Sequence, residues 1–196
     1  MMAIFAMVAT LGFTACSSDD DDNNNGGGNT PTPGAADYSS VKTTPMVAIA
    51  LGMLDIFDVT ITANGKTETV TADKVKNMDI KPTGASESTT PVAVLAYSME
   101  TTTSKCPASI PVEVEAKFKE GVDLTKLAKS DYCLTPMLSY QYGTNAAQMF
   151  IPILVKSTGV QWSKLAEDEN KMNTFSKNLK QGFTISLGTN GSVSIK

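Results

Sequence analysis

Three cysteines, Cys16, Cys106 and Cys133, are the most reactive side chains in this 196-residue chain. A thiolate can attack carbon, bind a soft metal or join a disulfide, and its neighbours decide which. The usual neighbours are missing, because the sequence contains no histidine and no arginine and every cationic side chain is lysine. Without imidazole there is no Ser-His or Cys-His nucleophile pair and no His ligand for a metal. Without guanidinium there is no planar fork for phosphate or carboxylate. Paired carboxylates are the remaining catalytic device, since they need only two acids at a suitable separation. Glu113 and Glu115 come nearest, but alternate acids on a strand ordinarily mark its wetted side. The residues therefore point away from an enzyme and to no cofactor and no metal site, with a carboxylate-pair hydrolase as the weakest alternative.

Cys16 has the most informative surroundings. Residues Ile4 to Phe13 are apolar apart from Thr10 and Gly12, much shorter than the roughly 20 residues of a spanning helix, and read as the core of a signal peptide. Met1, Met2 and Ala3 lack the Lys or Arg that opens such a signal, which places the expected start upstream. Then come Phe13-Thr14-Ala15-Cys16 and Ser17-Ser18-Asp19-Asp20-Asp21-Asp22. The first four residues resemble a bacterial lipobox, with Ala15 as its small residue and Phe13 in place of the usual Leu. The Ser/Asp run resembles the signal that sends lipoproteins of Bacteroides-type bacteria to the outer face of the outer membrane.

The resemblance covers about two dozen residues. It implies that residues 1–15 are removed, that Cys16 carries lipid, and that the protein is held on the outer membrane facing the exterior. The membrane, reached through that anchor, would be its first partner. Acyl chains contribute about 0.8 kcal/mol per buried methylene, so several hold a protein without any spanning helix.

Residues 16–36 form the lipidated cysteine and a tether. From Asp19 to Gly34 the chain is acidic, Asn-, Gly-, Thr- and Pro-rich with no large apolar side chain, so it cannot offset the entropy of ordering. Consecutive aspartates with no loop glycine or distal bidentate Glu do not make a calcium cage. Residues 37–196 are enough for one domain with its own core. A net charge of −4 argues against nucleic acid as a partner, because such binding rests on a concentrated basic face.

With Cys16 assigned to lipid, Cys106 and Cys133 remain. In an exported domain two cysteines most often pair, and closing that loop would add roughly 3–4 kcal/mol in the chain-entropy treatment; two buried thiols are the alternative. Nothing resembles Cys-x-x-Cys, which argues against a redox pair.

The elements that must position these groups are mostly strands. Phe57, Val59, Ile61 and Ala63 alternate with Asp58, Thr60 and Thr62, and Asn64-Gly65 then offers a type I′ turn. That turn would put Ala63 opposite Lys66, Thr62 opposite Thr67, Thr60 opposite Thr69 and Val59 opposite Val70. Ile110 to Phe118 alternates with Glu113, Glu115 and Lys117, and Pro111 restricts it to a strand start or edge. Val92 to Tyr97 reads as a central or covered strand, Leu134 to Tyr142 as a strand with Leu138, Tyr140 and Tyr142 on one side, Met149 to Val155 as an apolar run that Pro152 makes an edge or a bulge, and Phe183 to Ile195 as a hairpin through Gly188-Thr189-Asn190-Gly191. Between Val160 and Gln181, Trp162, Leu165, Met172, Phe175 and Leu179 recur at helical spacing, with Thr158 and Gln161 as a start, Gly182 as an end, and a weak middle at Glu169-Asn170 that would divide it into two pieces as the alternative. Residues 46–54 fit helix or strand. The expected fold is mainly β: an antiparallel β-sandwich, Ig-like or similar, with one helix in the C-terminal half, or alternatively a small β-barrel.

Aromatic side chains are the natural platform for sugar rings. Tyr140 and Tyr142, two apart on one strand face, are the candidate ligand contacts, with Tyr38, Tyr97, Tyr132 and Trp162 elsewhere; the alternative is that all of them are core. Two functional classes follow. One is a surface-anchored binding or accessory module for glycan or another nutrient. The other is a structural or adhesive protein, such as a pilus-like subunit, which needs an open sheet edge for a surface protein partner.

Overall fold

Asn64 and Gly65 both carry positive φ, 53° and 75°, the type I′ geometry this dipeptide adopts with little strain. The turn sets the register of its hairpin: Ala63 faces Lys66, Thr62 faces Thr67 and Thr60 faces Thr69, and the Val70 amide donates to the Val59 carbonyl at 2.8 Å. The hydroxyls of Thr62 and Thr67 lie 2.8 Å apart on the outer face, while Val59 and Val70 are buried on the inner one.

The computed structural model describes residues 37–80, 91–152 and 155–196. In chain order the elements are β1 (Ser40–Ile49), α1 (Met53–Ile56), β2 (Phe57–Ala63), β3 (Lys66–Thr69), β4 (Lys76–Ile80), β5 (Val92–Ser98), β6 (Thr102–Lys105), β7 (Ala108–Phe118), β8 (Ser130–Tyr132), β9 (Leu134–Tyr142), β10 (Gln148–Phe150), β11 (Thr158–Val160), α2 (Trp162–Ala166), α3 (Glu169–Ser176), β12 (Lys180–Leu187) and β13 (Val193–Ile195). One sheet runs β10-β9-β1-β5-β4, with β6 also on β1; a second runs β13-β12-β7-β2-β3; β11 and β8 form a small ribbon. All pairings are antiparallel. The apolar sides of both large sheets feed one core that includes Val47, Ile49, Phe57, Ile61, Val114, Leu138 and Ile185. The fold is mainly β and sandwich- or barrel-like, as the strand periods predict.

Among the described residues three prolines sit inside strands without breaking them, for one reason. A proline has no N–H, so it fits only where the ladder asks for none. Pro45 lies where β1 changes partner, from β6 at Thr43–Thr102 to β5 at Met46–Ser98. Its carbonyl accepts from Met99 N on that side. Pro111 lies one residue past the last β2 pair, Ala63–Val112, and opposite Thr184, whose carbonyl turns away to Lys196 N. Pro136 lies beyond the end of β10, which stops at Phe150–Leu138.

Several expectations change. The ambiguous segment 46–54 divides, strand to Ile49 and one helical turn from Met53. The long apolar run from Met149 yields a strand only over Gln148–Phe150, and residues 153–154 lie outside the described ones. The helical stretch expected between Val160 and Gln181 takes its two-piece form, as two short helices. Asp168 interrupts it by accepting a hydrogen bond from Lys171 N at 3.1 Å, a side-chain cap that starts α3 afresh. Gln161 makes no side-chain cap, and Gly182 ends no helix: it lies within β12, where a Cβ would stand 3.0 Å from the Val112 carbonyl. Close backbone approach explains that glycine.

The two sheets are clasped along one margin. Tyr97 of β5 donates its hydroxyl hydrogen to Glu68 of β3, Lys66 bridges Glu68 at 2.8 Å and Glu100 at 3.6 Å, and Asn64 Nδ2 reaches Thr102 Oγ1 at 3.4 Å. Lys66, and then Tyr97, hold the Glu68 carboxyl below its usual range. Burial, followed by Glu68, pushes Tyr97 up to about 12. Burial likewise pushes Tyr142 to about 12 and raises Tyr140 and Tyr132. A lowered acid contributes stability that is present above its unfolded pKa and lost as pH falls through the folded one. A raised phenol contributes stability that is present below its unfolded pKa, near 10, and lost as pH rises through the folded one. With no histidine to titrate between, the urea midpoint is expected to be flat from about pH 5 to 8. It should fall below about pH 4 and again above about pH 9, as first the thiols of Cys106 and Cys133, which burial also raises, and then the phenols ionise in the unfolded chain; a break near pH 6–7 would contradict this assignment of charges.

Candidate functional site

Most aromatic side chains singled out from the sequence are buried. Trp162, 1% exposed, stands at the start of α2, donates Nε1–H to Ser130 Oγ at 2.7 Å and packs edge-on against Phe57 and Phe175, both at 5.6 Å. Tyr132 joins the same cluster, 4.9 Å from Phe175, and donates its hydroxyl hydrogen to the Asn178 carbonyl at 2.8 Å. These residues pack the two short helices onto Phe57 and Phe118 of the second sheet. They are core, and offer no platform.

Tyr140 and Tyr142 are also buried, 9% and 4% exposed, so their ring faces do not form the open platform that would stack on a sugar. They form the floor of a recess of about 90 Å³ lined by Tyr38, Tyr140, Tyr142, Asn145, Ala146, Gln148 and Gly191. Four parts of the chain converge there: the segment entering β1, the inward face of β9, the β9–β10 connection with the first residue of β10, and the β12–β13 turn. Tyr38 meets Tyr142 edge-on at 5.1 Å, and Tyr140 meets Tyr142 edge-on at 6.1 Å. Tyr140 donates its hydroxyl hydrogen to Gln148 Oε1, and Tyr142 donates to the Ser192 carbonyl at 3.4 Å. Gly191, at φ 76°, lets the Tyr38 ring lie against the turn, where a Cβ would come within 2.6 Å of it. Alternation marked Tyr140 and Tyr142. Asn145, Ala146 and Gln148 belong to a connection with no periodicity, and Gly191 shows in the sequence only as a turn residue.

A larger hollow of about 460 Å³ is lined by Asp168, Asn170, Lys171, Thr174, Phe175 and Asn178. Every one of these belongs to α3 or its flanks, so it is a furrow along one helix with no opposing wall. Asp168 and Lys171 there bond each other at 2.9 Å. Glu113 and Glu115 point outward from β7, Glu113 2.8 Å from Lys180 and Glu115 3.4 Å from Lys117. They are the charged side of a half-wetted sheet and share no cleft. Among the described residues no three His, Cys, Asp or Glu side chains gather as metal ligands, and no helix is long and apolar enough to cross a membrane.

The expected Cys106–Cys133 disulfide is not formed; both are free thiols. The register of β1 explains why. Cys106 N bonds the Ser39 carbonyl just before β1, whereas Ala50 N just after it bonds the Cys133 carbonyl. The two thiols therefore mark opposite ends of a ten-residue strand, about 30 Å apart at ~3.3 Å per residue, far beyond bridging distance. Cys133 is buried, with Sγ 3.8 Å from the Ala48 carbonyl and 3.7 Å from Thr135 Oγ1. A reducing agent is expected to leave the melting temperature unchanged, and thiol titration of the denatured domain should count both cysteines without prior reduction.

Cys16, Ser17, Ser18 and Asp19 to Asp22 lie outside the described residues. Asp37 onward belongs to one compact unit. The molecule is thus a mainly β, two-sheet domain with a small tyrosine-floored recess. No family model, no curated protein and no solved structure matches the chain.

Proposed function

We propose that this is a lipid-anchored protein of the outer membrane, facing the cell exterior, whose β domain is a binding or accessory module for glycan or another nutrient. One observation carries the address: an apolar segment, Ala15, Cys16 and then Ser17-Ser18-Asp19-Asp20-Asp21-Asp22 follow one another in that order. The recess floored by Tyr140 and Tyr142 supports the binding half of the reading, because side chains from distant parts of the chain converge on it. The adhesive or pilus-like reading ranks below it. β10 and β13 have three residues, β3 four and β4 five, which gives a partner strand little to pair with, and Glu68 turns a charge inward on β3.

Replacing Asp19 to Asp22 by alanine is expected to keep the protein lipidated but leave it facing inward, measured as loss of digestion by protease added to intact cells. Unchanged digestion would remove the sorting role. The binding half is checked by a melting screen against polysaccharides. A ligand at 100 times its Kd adds about 2.7 kcal/mol, and no shift from any glycan would transfer weight to the adhesive reading.

A further inference from the structure

Resting on the glycan-module reading, we propose that the tyrosine recess is the subsite for a small neutral amide, the N-acetyl group of an acetamido sugar. Size comes first. Ordinary ligand pockets start at about 300 Å³, and this recess, at about 90 Å³, is well below that. It is scaled to a substituent of a sugar rather than to a whole ring.

Charge narrows the choice. The lining is Tyr, Asn, Ala, Gln and Gly, with no carboxylate and no ammonium group. A carboxylate or ammonium entering it would lose hydration and find no counter-charge. A neutral group with both polar and apolar parts meets no such penalty. The recess is mostly polar, and the exposed edges of the tyrosine rings with the Ala146 methyl supply its smaller apolar part, where a methyl group can sit. Tyr140 holds Gln148 by its Oε1, which orients that amide with Nε2 as the remaining donor, and the Asn145 side chain offers both a donor and an acceptor. A donor for C=O and an acceptor for N–H, beside a small apolar edge, complement an acetamide.

Access and rigidity agree with this reading. Asn145, Ala146 and Gln148 are exposed at the rim while Tyr140 and Tyr142 are buried at the floor, so the group would insert and its sugar ring would stay outside. The floor is held by the hydrogen bonds of Tyr140 and Tyr142 and by Tyr38 packed against Gly191, so little ordering remains to oppose binding.

The test is titration calorimetry of the mature protein with the N-acetylated glucosamine disaccharide and with cellobiose, which carries a hydroxyl where the first has acetamido. The acetylated sugar is expected to bind about tenfold more tightly, the worth of roughly one hydrogen bond. Ala146→Leu, which fills the recess from its exposed rim, should erase that preference without lowering the melting temperature, and Asn145→Ala should reduce it. Equal affinity for the two sugars, or a preference that survives Ala146→Leu, would overturn the subsite and leave a glycan module standing. Failure of every sugar in the wider screen would overturn both readings.

Discussion

Trp162→Ala is expected to lower the stability of the domain by about 3–5 kcal/mol, the range for deleting a large buried aromatic. The melting point should fall by roughly 6–20 °C, at about 2–4 °C per kcal/mol for a domain of this size. Three losses combine. The indole is 1% exposed, and its removal leaves a cavity bounded by Phe57, Phe118 and Phe175, whose centroids lie 5.6–6.3 Å from it. Ser130 Oγ loses the Nε1–H donor at 2.7 Å. The short helices also lose their anchor: α2 has five residues and α3 eight, below the length at which a helix persists by its own hydrogen bonds. Trp162→Phe should recover part of the packing but not the bond to Ser130. Trp162 is the single tryptophan, so unfolding of the variant must be followed by circular dichroism. A loss under about 1 kcal/mol would mean that the helical segment is no part of the cooperative unit.

Cys16→Ala is expected to abolish membrane attachment outright, because the thiol is the only group in the proposed lipobox that can take a lipid through sulfur. Each acyl chain brings about 0.8 kcal/mol per buried methylene, and no helix among the described residues can substitute as a span. A clickable fatty-acid analogue should label the parent and not the variant, and the variant should move from the detergent phase to the aqueous phase. Cys16→Ser gives the sharper control, since a hydroxyl of similar size lacks the reactive sulfur. Retained label on either variant would sink the anchor and with it the assigned address. Neither substitution should change the melting of the domain, because the residues from Asp37 form a compact unit of their own.

The local structure was legible wherever a short stretch contained its own instruction. The Asn64-Gly65 hairpin has the register its turn dictates, and the two-faced strand from Ile110 to Phe118 and the closing hairpin from Phe183 to Ile195 form where their alternation places them. A period of two and a turn dipeptide act over fewer than ten neighbours. Strands β4 and β6 were not read, because Lys76–Ile80 and Thr102–Lys105 are mostly polar and exposed; they are strands because β5 and β1 supply the ladder. The helix was read with its weak middle and misread at its end. A capping bond from Asp168 divides it beside Glu169-Asn170, and a close approach to Val112 places Gly182 in a strand instead of at a helix terminus.

What the sequence determined alone, then, is the mainly β character, the faces of its strands, the absence of imidazole and guanidinium chemistry, and the order of residues around Cys16 on which the proposed anchor rests. The tertiary structure decided what depends on distance across the chain. Cys133 reaches the carbonyl of Ala48, 85 residues away, while Cys106 lies at the other end of the same strand, so two thiols that composition would pair stay apart. It likewise turned Tyr140 and Tyr142 inward and closed a recess over them with Tyr38 and Gly191. The physical reason is the same in each case: side-chain period is set by the backbone of one strand, but which strands meet, and which thiols or rings then face one another, is set by burying a single core.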